Sequence, residues 1–388
     1  MPLTPRERVL AAINHEEPDR VPIVIGVSNA TSMRLKPYRQ LKKLLGIQAP
    51  DEFLYDWPEL GTVRVDEETL RRLHVDVRGV WDRHPDWVVE KNARRAPGEP
   101  FFDAWGIGQV ELTPGTWFPH IHPLAEATSV QDLENYPWPD PNDPSRIRGV
   151  KERAEALARE GTYAIMATPW LLFPFERAIA LRGMERFFMD LVEDPEFAQA
   201  LLRKTTDLCK AMMAPFLEAL GDNVDIVKIG DDLGTQTSLL ISPRMYRRYL
   251  KPLHAEYIAF IKERTRAKVL FHTDGDVFPL LDDLVEIGVD ILNPIQTSAG
   301  RMADLATLKK RYGKNLVFCG GIDTHRVLPY GTPEDVRREV RRVIEQLAPG
   351  GGYMLAAVHT IMDDVPAENI LAMVDAALEY GTYSKGNE

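Results

Sequence analysis

The stretch Lys268-Val269-Leu270-Phe271-His272-Thr273-Asp274-Gly275-Asp276 joins an apolar run of strand length to an imidazole and then to acids set around a glycine. A run with no polar alternation is covered on both faces, which is the situation of a strand in a parallel sheet wrapped by helices. Its polar groups then emerge at the C-terminal end of the strand, where parallel barrels keep their active sites. The same event recurs in Leu316-Val317-Phe318-Cys319-Gly320-Gly321-Ile322-Asp323 and in Tyr353-Met354-Leu355-Ala356-Ala357-Val358-His359.

Around these runs strands alternate with helices. From residue 146 the pattern predicts helix 146–160, strand 162–167, helices near 174–191 and 194–220, strand 224–230 and helix 243–265. Strand 268–272, helix 277–287, strand 289–293, helix 301–312, strand 316–320, helix 333–347, strand 353–357 and helix 366–380 follow. Helix 333–347 is the best specified. Thr332 caps it, Pro333 fills its first turn, and Val336, Val340, Val343, Ile344 and Leu347 form one apolar stripe. Near the N-terminus, Thr4-Pro5 opens a short helix that ends at Glu17-Pro18-Asp19-Arg20, and residues 21–26 and 74–80 read as two further strands. Eight strands with intervening helices predict an α/β fold, a (β/α)8 TIM barrel over 1–388 as a single domain.

Residues 82–145 break the rhythm. They hold most of the seven tryptophans, among them Trp87, Trp105, Trp117 and Trp138, and end in the proline-rich run Tyr136–Pro144. Extended pieces are expected at 88–91 and 108–112. The segment reads as an insertion, either over one barrel mouth or packed against the barrel side. A net charge of −11 argues against nucleic acid or an anionic membrane as partner. No run reaches the roughly 18 apolar residues of a spanning helix. The first residues read as a capped helix and not as an export leader, and two cysteines suit a reducing compartment, so a cytoplasmic protein is expected.

The candidate chemistry sits at the strand exits. His272 ends the fifth strand, Asn293 the sixth and Cys319 the seventh; Asp231 and Asp232 follow the fourth, and His359 follows the eighth. Imidazole and thiolate from alternate strands start a zinc site, with His272 and Cys319 as ligands and Asp274, Asp232 or Asp323 to complete it. His359 suits acid–base work or substrate hydrogen bonding. Each residue also has a structural reading. Asp231-Asp232 and Asp323 suit turn capping, Cys319 a buried small side chain, and either histidine a hydrogen-bonded core position. Gly320-Gly321 lies on the correct face to approach a ligand. Gly350-Gly351-Gly352 precedes a strand and so lies on the opposite face, and no nucleotide-binding glycine motif is present.

Several segments together resemble the uroporphyrinogen decarboxylase superfamily, which includes corrinoid- and cobalamin-linked methyltransferases. They are Thr4–Leu10 with Glu17–Pro22, Gly230-Asp231-Asp232-Leu233-Gly234-Thr235-Gln236, His272-Thr273-Asp274-Gly275, Gly320-Gly321-Ile322-Asp323, and His359-Thr360-Ile361 with Asp364-Val365-Pro366. The resemblance implies a (β/α)8 barrel. The arginine-rich loop that resembles the decarboxylases' carboxylate grip is missing, since Val27–Arg34 carries one arginine. His359 falls where decarboxylases carry an active-site histidine. The superfamily's zinc methyltransferases look like His-x-Cys with a later Cys, against His272-x-Asp274 and Cys319 here.

The implied activity is zinc-dependent methyl transfer from a small O-methyl or alcohol-type donor to a corrinoid on a partner protein. In it His272, Cys319 and Asp274 hold metal and His359, Asp232 and Asp323 act on the donor. Asp231, Asn293, Gly320 and Gly321 line the substrate. The alternatives are a metal-free tetrapyrrole decarboxylase using Asp232 and His359, and a barrel that binds a small ligand without turnover. Oligomeric state is not expressed in any of these patterns.

Overall fold

The computed structural model describes residues 2–96, 98–113, 116–170 and 172–383. Seven parallel strands lie side by side in chain order: Val77–Val80, Ala164–Ala167, Ile226–Gly230, Lys268–His272, Ile291–Ile295, Val317–Ile322 and Tyr353–Ala357. Residues 21–25 close the gap between the first and the last. Leu355 N–H donates to Pro22 O at 2.9 Å, Val24 N–H donates to Leu355 O at 2.8 Å, and Asp76 N–H donates to Ile23 O at 3.0 Å. The eight-stranded α/β barrel predicted from the alternation is therefore present, its eighth member held by an isolated bridge at Ile23 and not by a full ladder.

An acid stands just before three of the strands and stitches each to its neighbour. Asp76 accepts Ile23 N–H at 2.8 Å, Asp225 accepts Ile165 N–H at 2.9 Å, and Asp290 accepts Val269 N–H at 2.8 Å. Paired arginines neutralise two of these carboxylates: Arg8 and Arg20 on Asp76, and Arg6 on Asp225. These bonds pin the N-terminal face, the end of a barrel that serves stability.

Outside the sheet, the helix Pro333–Leu347 buries its predicted stripe, and Thr332 caps it by accepting Asp335 N–H at 3.2 Å. The expected helix 174–191 is instead two helices, Pro174–Arg182 and Met184–Glu193, because Gly183 at φ 87° turns the chain. The expected helix 243–265 carries a π-turn at Tyr246–Leu250 just before Pro252, whose missing N–H leaves the regular ladder one donor short.

Within 82–145, strands Phe101–Phe102, Gly108–Thr113 and Thr116–Ile121 form a small antiparallel sheet, as 108–112 predicted. The expected extended piece at 88–91 is corrected: it lies in the helix Asp86–Ala93, with Val88 buried and Val89 exposed. Four residues of mixed polarity fit either period, and the Pro85 start decided. The segment is fastened to the helix Pro174–Arg182. Arg177 pairs with Asp103 at 3.0 Å, and Arg182 donates to the carbonyls of Leu124, Ala125 and Ala127.

Candidate metal centre

Side-chain alternation along the strand Lys268–His272 decides what enters the barrel. Phe271 faces the helix layer, where its ring meets His254 at 5.3 Å, so His272 faces inward. Its neighbour Gly230 makes room, since a Cβ there would stand 2.9 Å from His272 Cβ. Asn293, in register with His272 on the next strand, orients the ring. Asn293 donates through Nδ2 to Cys319 O at 3.3 Å, which turns its Oδ1 to His272 Nδ1 at 2.8 Å. Nδ1 therefore carries the proton, and Nε2 presents a bare lone pair.

Three ligand atoms, one each from His272, Asp274 and His359, lie within 4.8 Å of one another. His359 Nε2 and Asp274 Oδ2 are 3.7 Å apart, and the two imidazole centroids 5.6 Å apart. Ligands around a tetrahedral zinc stand roughly 3.4 Å from each other, so small rotations close the set. Asp274 Oδ1 is buried and has no hydrogen-bond partner, an orphaned acceptor that a bound cation would satisfy.

Protonation also fits. Burial first, then the charges of Lys228 and His359, holds the His272 imidazole well below its ordinary range, against the pull of the Asn293 bond. His359 is pushed down to about 4 by burial, with Asp232 opposing and Lys228 adding. Asp274 is raised to about 6 by burial, with Lys228 opposing. At neutral pH the three are therefore two neutral imidazoles and a carboxylate, the forms a metal binds.

Asp232 adjoins this set. Its Oδ1 accepts Asp274 N–H at 2.9 Å, and burial together with the charge of Asp274 raises it to about 6. Cys319 does not join, which corrects its expected role as a ligand. The converging ligand atoms come from His272, Asp274 and His359 and not from Cys319, whose side chain is fully buried and whose thiol is pushed up to about 12 by that burial.

Asp231 is corrected likewise from a substrate contact to a cap. It is fully buried and accepts Phe175 N–H at 3.0 Å, Glu176 N–H at 2.8 Å and His254 Nε2–H at 3.0 Å, which uses both oxygens. Gly320 and Gly321 leave space for protein and not for a ligand. A Cβ at Gly320 would meet Ile295 N at 2.9 Å, and one at Gly321 would meet Val343 Cγ1 at 2.8 Å. Asp323 caps a turn by accepting His325 N–H at 2.8 Å. Asn293 stands behind His272, 1% exposed.

Two groups escaped the sequence reading. Glu176 Oε1 accepts Asp232 N–H at 3.1 Å, and its carboxyl is pushed well up by burial and by the charges of Asp232 and Asp231. Lys228, 3% exposed, sits in the strand Ile226–Gly230 and donates to Asn29 Oδ1 at 2.9 Å. Its ammonium lies 5.0 Å from the Phe173 ring centroid, and burial brings its pKa down to about 8. A lone lysine inside an otherwise apolar strand was the available signal.

A family model described as uroporphyrinogen decarboxylase (URO-D) matches residues 102–380. The chain is 25% identical over 383 residues to a uroporphyrinogen decarboxylase of Alkalilimnicola ehrlichii, covering 97% of this chain and 94% of that protein. It is 23% identical over 382 residues to the methylcobamide:CoM methyltransferase MtbA of Methanosarcina mazei, covering 97% and 98%. A solved methyltransferase structure from Methanosarcina mazei superposes with a TM-score of 0.64 at 20% identity, covering 97% of this chain and 99% of that one, a likeness of fold. Among the described residues no helix is long and apolar enough to cross a membrane.

Proposed function

The chain belongs to the uroporphyrinogen decarboxylase family, and from that premise we propose that it is a zinc-dependent methyltransferase. It moves a methyl group from a small O-methyl or alcohol-type donor to a corrinoid carried by a partner protein. The observation that carries this reading is the convergence of His272, Asp274 and His359 with one buried carboxylate oxygen left unbonded. Two imidazoles and a carboxylate suit catalytic zinc, with a fourth position open to substrate. The set contains no sulfur, so it is harder than a thiolate site and suits an oxygen-bearing donor. When bound, zinc supplies Lewis-acid polarisation of a substrate oxygen.

The protein groups do the rest. Asn293 holds the His272 ring in one tautomer. Asp232, with its carboxyl raised to about 6, is mostly ionised at neutral pH but lies close enough to take up a proton and pass it to the departing oxygen. Tetrapyrrole decarboxylation has less support from the charges of the site. A multiply anionic substrate would meet Asp232, Asp274 and Glu176, with Lys228 as the buried ammonium among them.

Metal analysis of protein purified without added zinc tests the reading. About one zinc per chain is expected, retained in Cys319→Ser and lost in the double variant His272→Ala/His359→Ala. Zinc-loaded protein should also methylate free, reduced cobalamin from a small methyl ether. A metal-free preparation that decarboxylates uroporphyrinogen overturns the proposal.

A further inference from the structure

Seven cationic side chains are buried among the described residues, and six of them touch a carboxylate. Arg8 pairs with Asp76, Lys42 with Asp51, Arg78 with Glu67, Arg146 with Asp82, Arg177 with Asp103 and Arg182 with Asp190, at 2.6–3.0 Å. Lys228 is the exception. Its hydrogen-bond partner is the neutral Asn29 Oδ1, which leaves two ammonium protons unused. Glu176, Asp232 and Asp274 attract it, yet none forms an ion pair with it within 4.0 Å. A buried charge without a bonded counterion is costly and is retained where it meets something.

Its position says what it meets. The inward alternation of the strand Ile226–Gly230 puts Lys228 inside the barrel, where the Phe173 ring neighbours both it and His272. Nζ is 5.0 Å from that ring's centroid, and the same ring stacks beside His272 at 6.4 Å and 28°. The ammonium and the His272 imidazole therefore share one aromatic neighbour.

Resting on the methyltransferase reading, we propose that Lys228 is the positioning residue for a carboxylate on the methyl donor. The donor class is then a small methyl ether bearing one carboxylate at the end away from its methoxy group. Two free N–H groups match the two oxygens of one carboxylate, and burial strengthens that contact while excluding water. Asn29 holds the ammonium in place, its own carbonyl accepting Thr360 Oγ1–H at 2.6 Å.

The test is calorimetric binding of methoxyacetate and 4-methoxybenzoate beside their neutral amides, to zinc-loaded and metal-free protein. At least one acid should bind tenfold or more tightly than its amide. Lys228→Met should abolish that preference while leaving amide binding and zinc content unchanged, and Lys228→Arg should restore part of it. Met matches the stem and carries no charge, so the variant is expected to fold with an unchanged or higher Tm. Equal binding of acid and amide, or a preference that survives in Lys228→Met, overturns the inference. Absence of zinc with the acid preference intact defeats only the methyltransferase reading, because the preference is also measured on metal-free protein.

Discussion

Proton and metal compete for the same carboxylate at Asp274, and the competition has a definite sign. Burial raises this group to about 6, whereas His359 is lowered to about 4 and His272 lies well below its ordinary range. As pH falls from 8, the first ligand to take a proton is therefore the carboxylate. Zinc affinity should be level above about pH 6 and fall roughly tenfold per pH unit just below it. Chelator competition between pH 5 and 8 measures this. A fall centred near 6.5 that persists in Asp274→Asn would assign the limiting proton to an imidazole instead. Asp232, also near 6, is coupled to Asp274 through charge and through the Asp274 N–H bond, so the two titrate as a pair.

The helix Pro174–Arg182 shows how an element can depend on a residue far from it in the chain. The residue before it, Phe173, has no side-chain oxygen to cap the first turn. Asp231 supplies the cap from 55 residues away and holds His254 with the same carboxylate. Removing it strands two backbone donors and a buried imidazole. Asp231→Ala should cost about 3 kcal/mol, read as a lower urea midpoint, with about one zinc per folded chain retained. An unchanged midpoint would defeat the capping role, and loss of zinc from folded protein would restore Asp231 to the site.

At the scale of the whole molecule, barrel closure rests on a short segment and one carboxylate. Residues 21–25 bond to Leu355 on one side and to Asp76 on the other, and Asp76 also gathers Arg8 and Arg20. Asp76→Asn keeps the shape but takes the anion from the half-buried Arg20 and leaves the buried Arg8 with Asp19 alone. It should destabilise by about 3–5 kcal/mol, as measured by chemical unfolding. Asp225 and Asp290 stitch other strands similarly, so a single loss should lower stability without opening the metal centre.

The alternation of apolar runs and amphipathic helices, legible in the chain itself, was enough to predict eight barrel strands, because burial on two faces leaves a local signature. His272, Asp274 and His359 were legible as polar exits from such runs for the same reason. Which exits meet was decided by tertiary structure. Strand register brought His359 to Asp274, kept Cys319 against Asn293 with a neutral thiol, and spent both oxygens of Asp231 on a distant helix. The unpaired state of Lys228 was likewise invisible in the sequence, because a missing ion pair is a property of neighbours across the barrel and not of the strand that carries the charge.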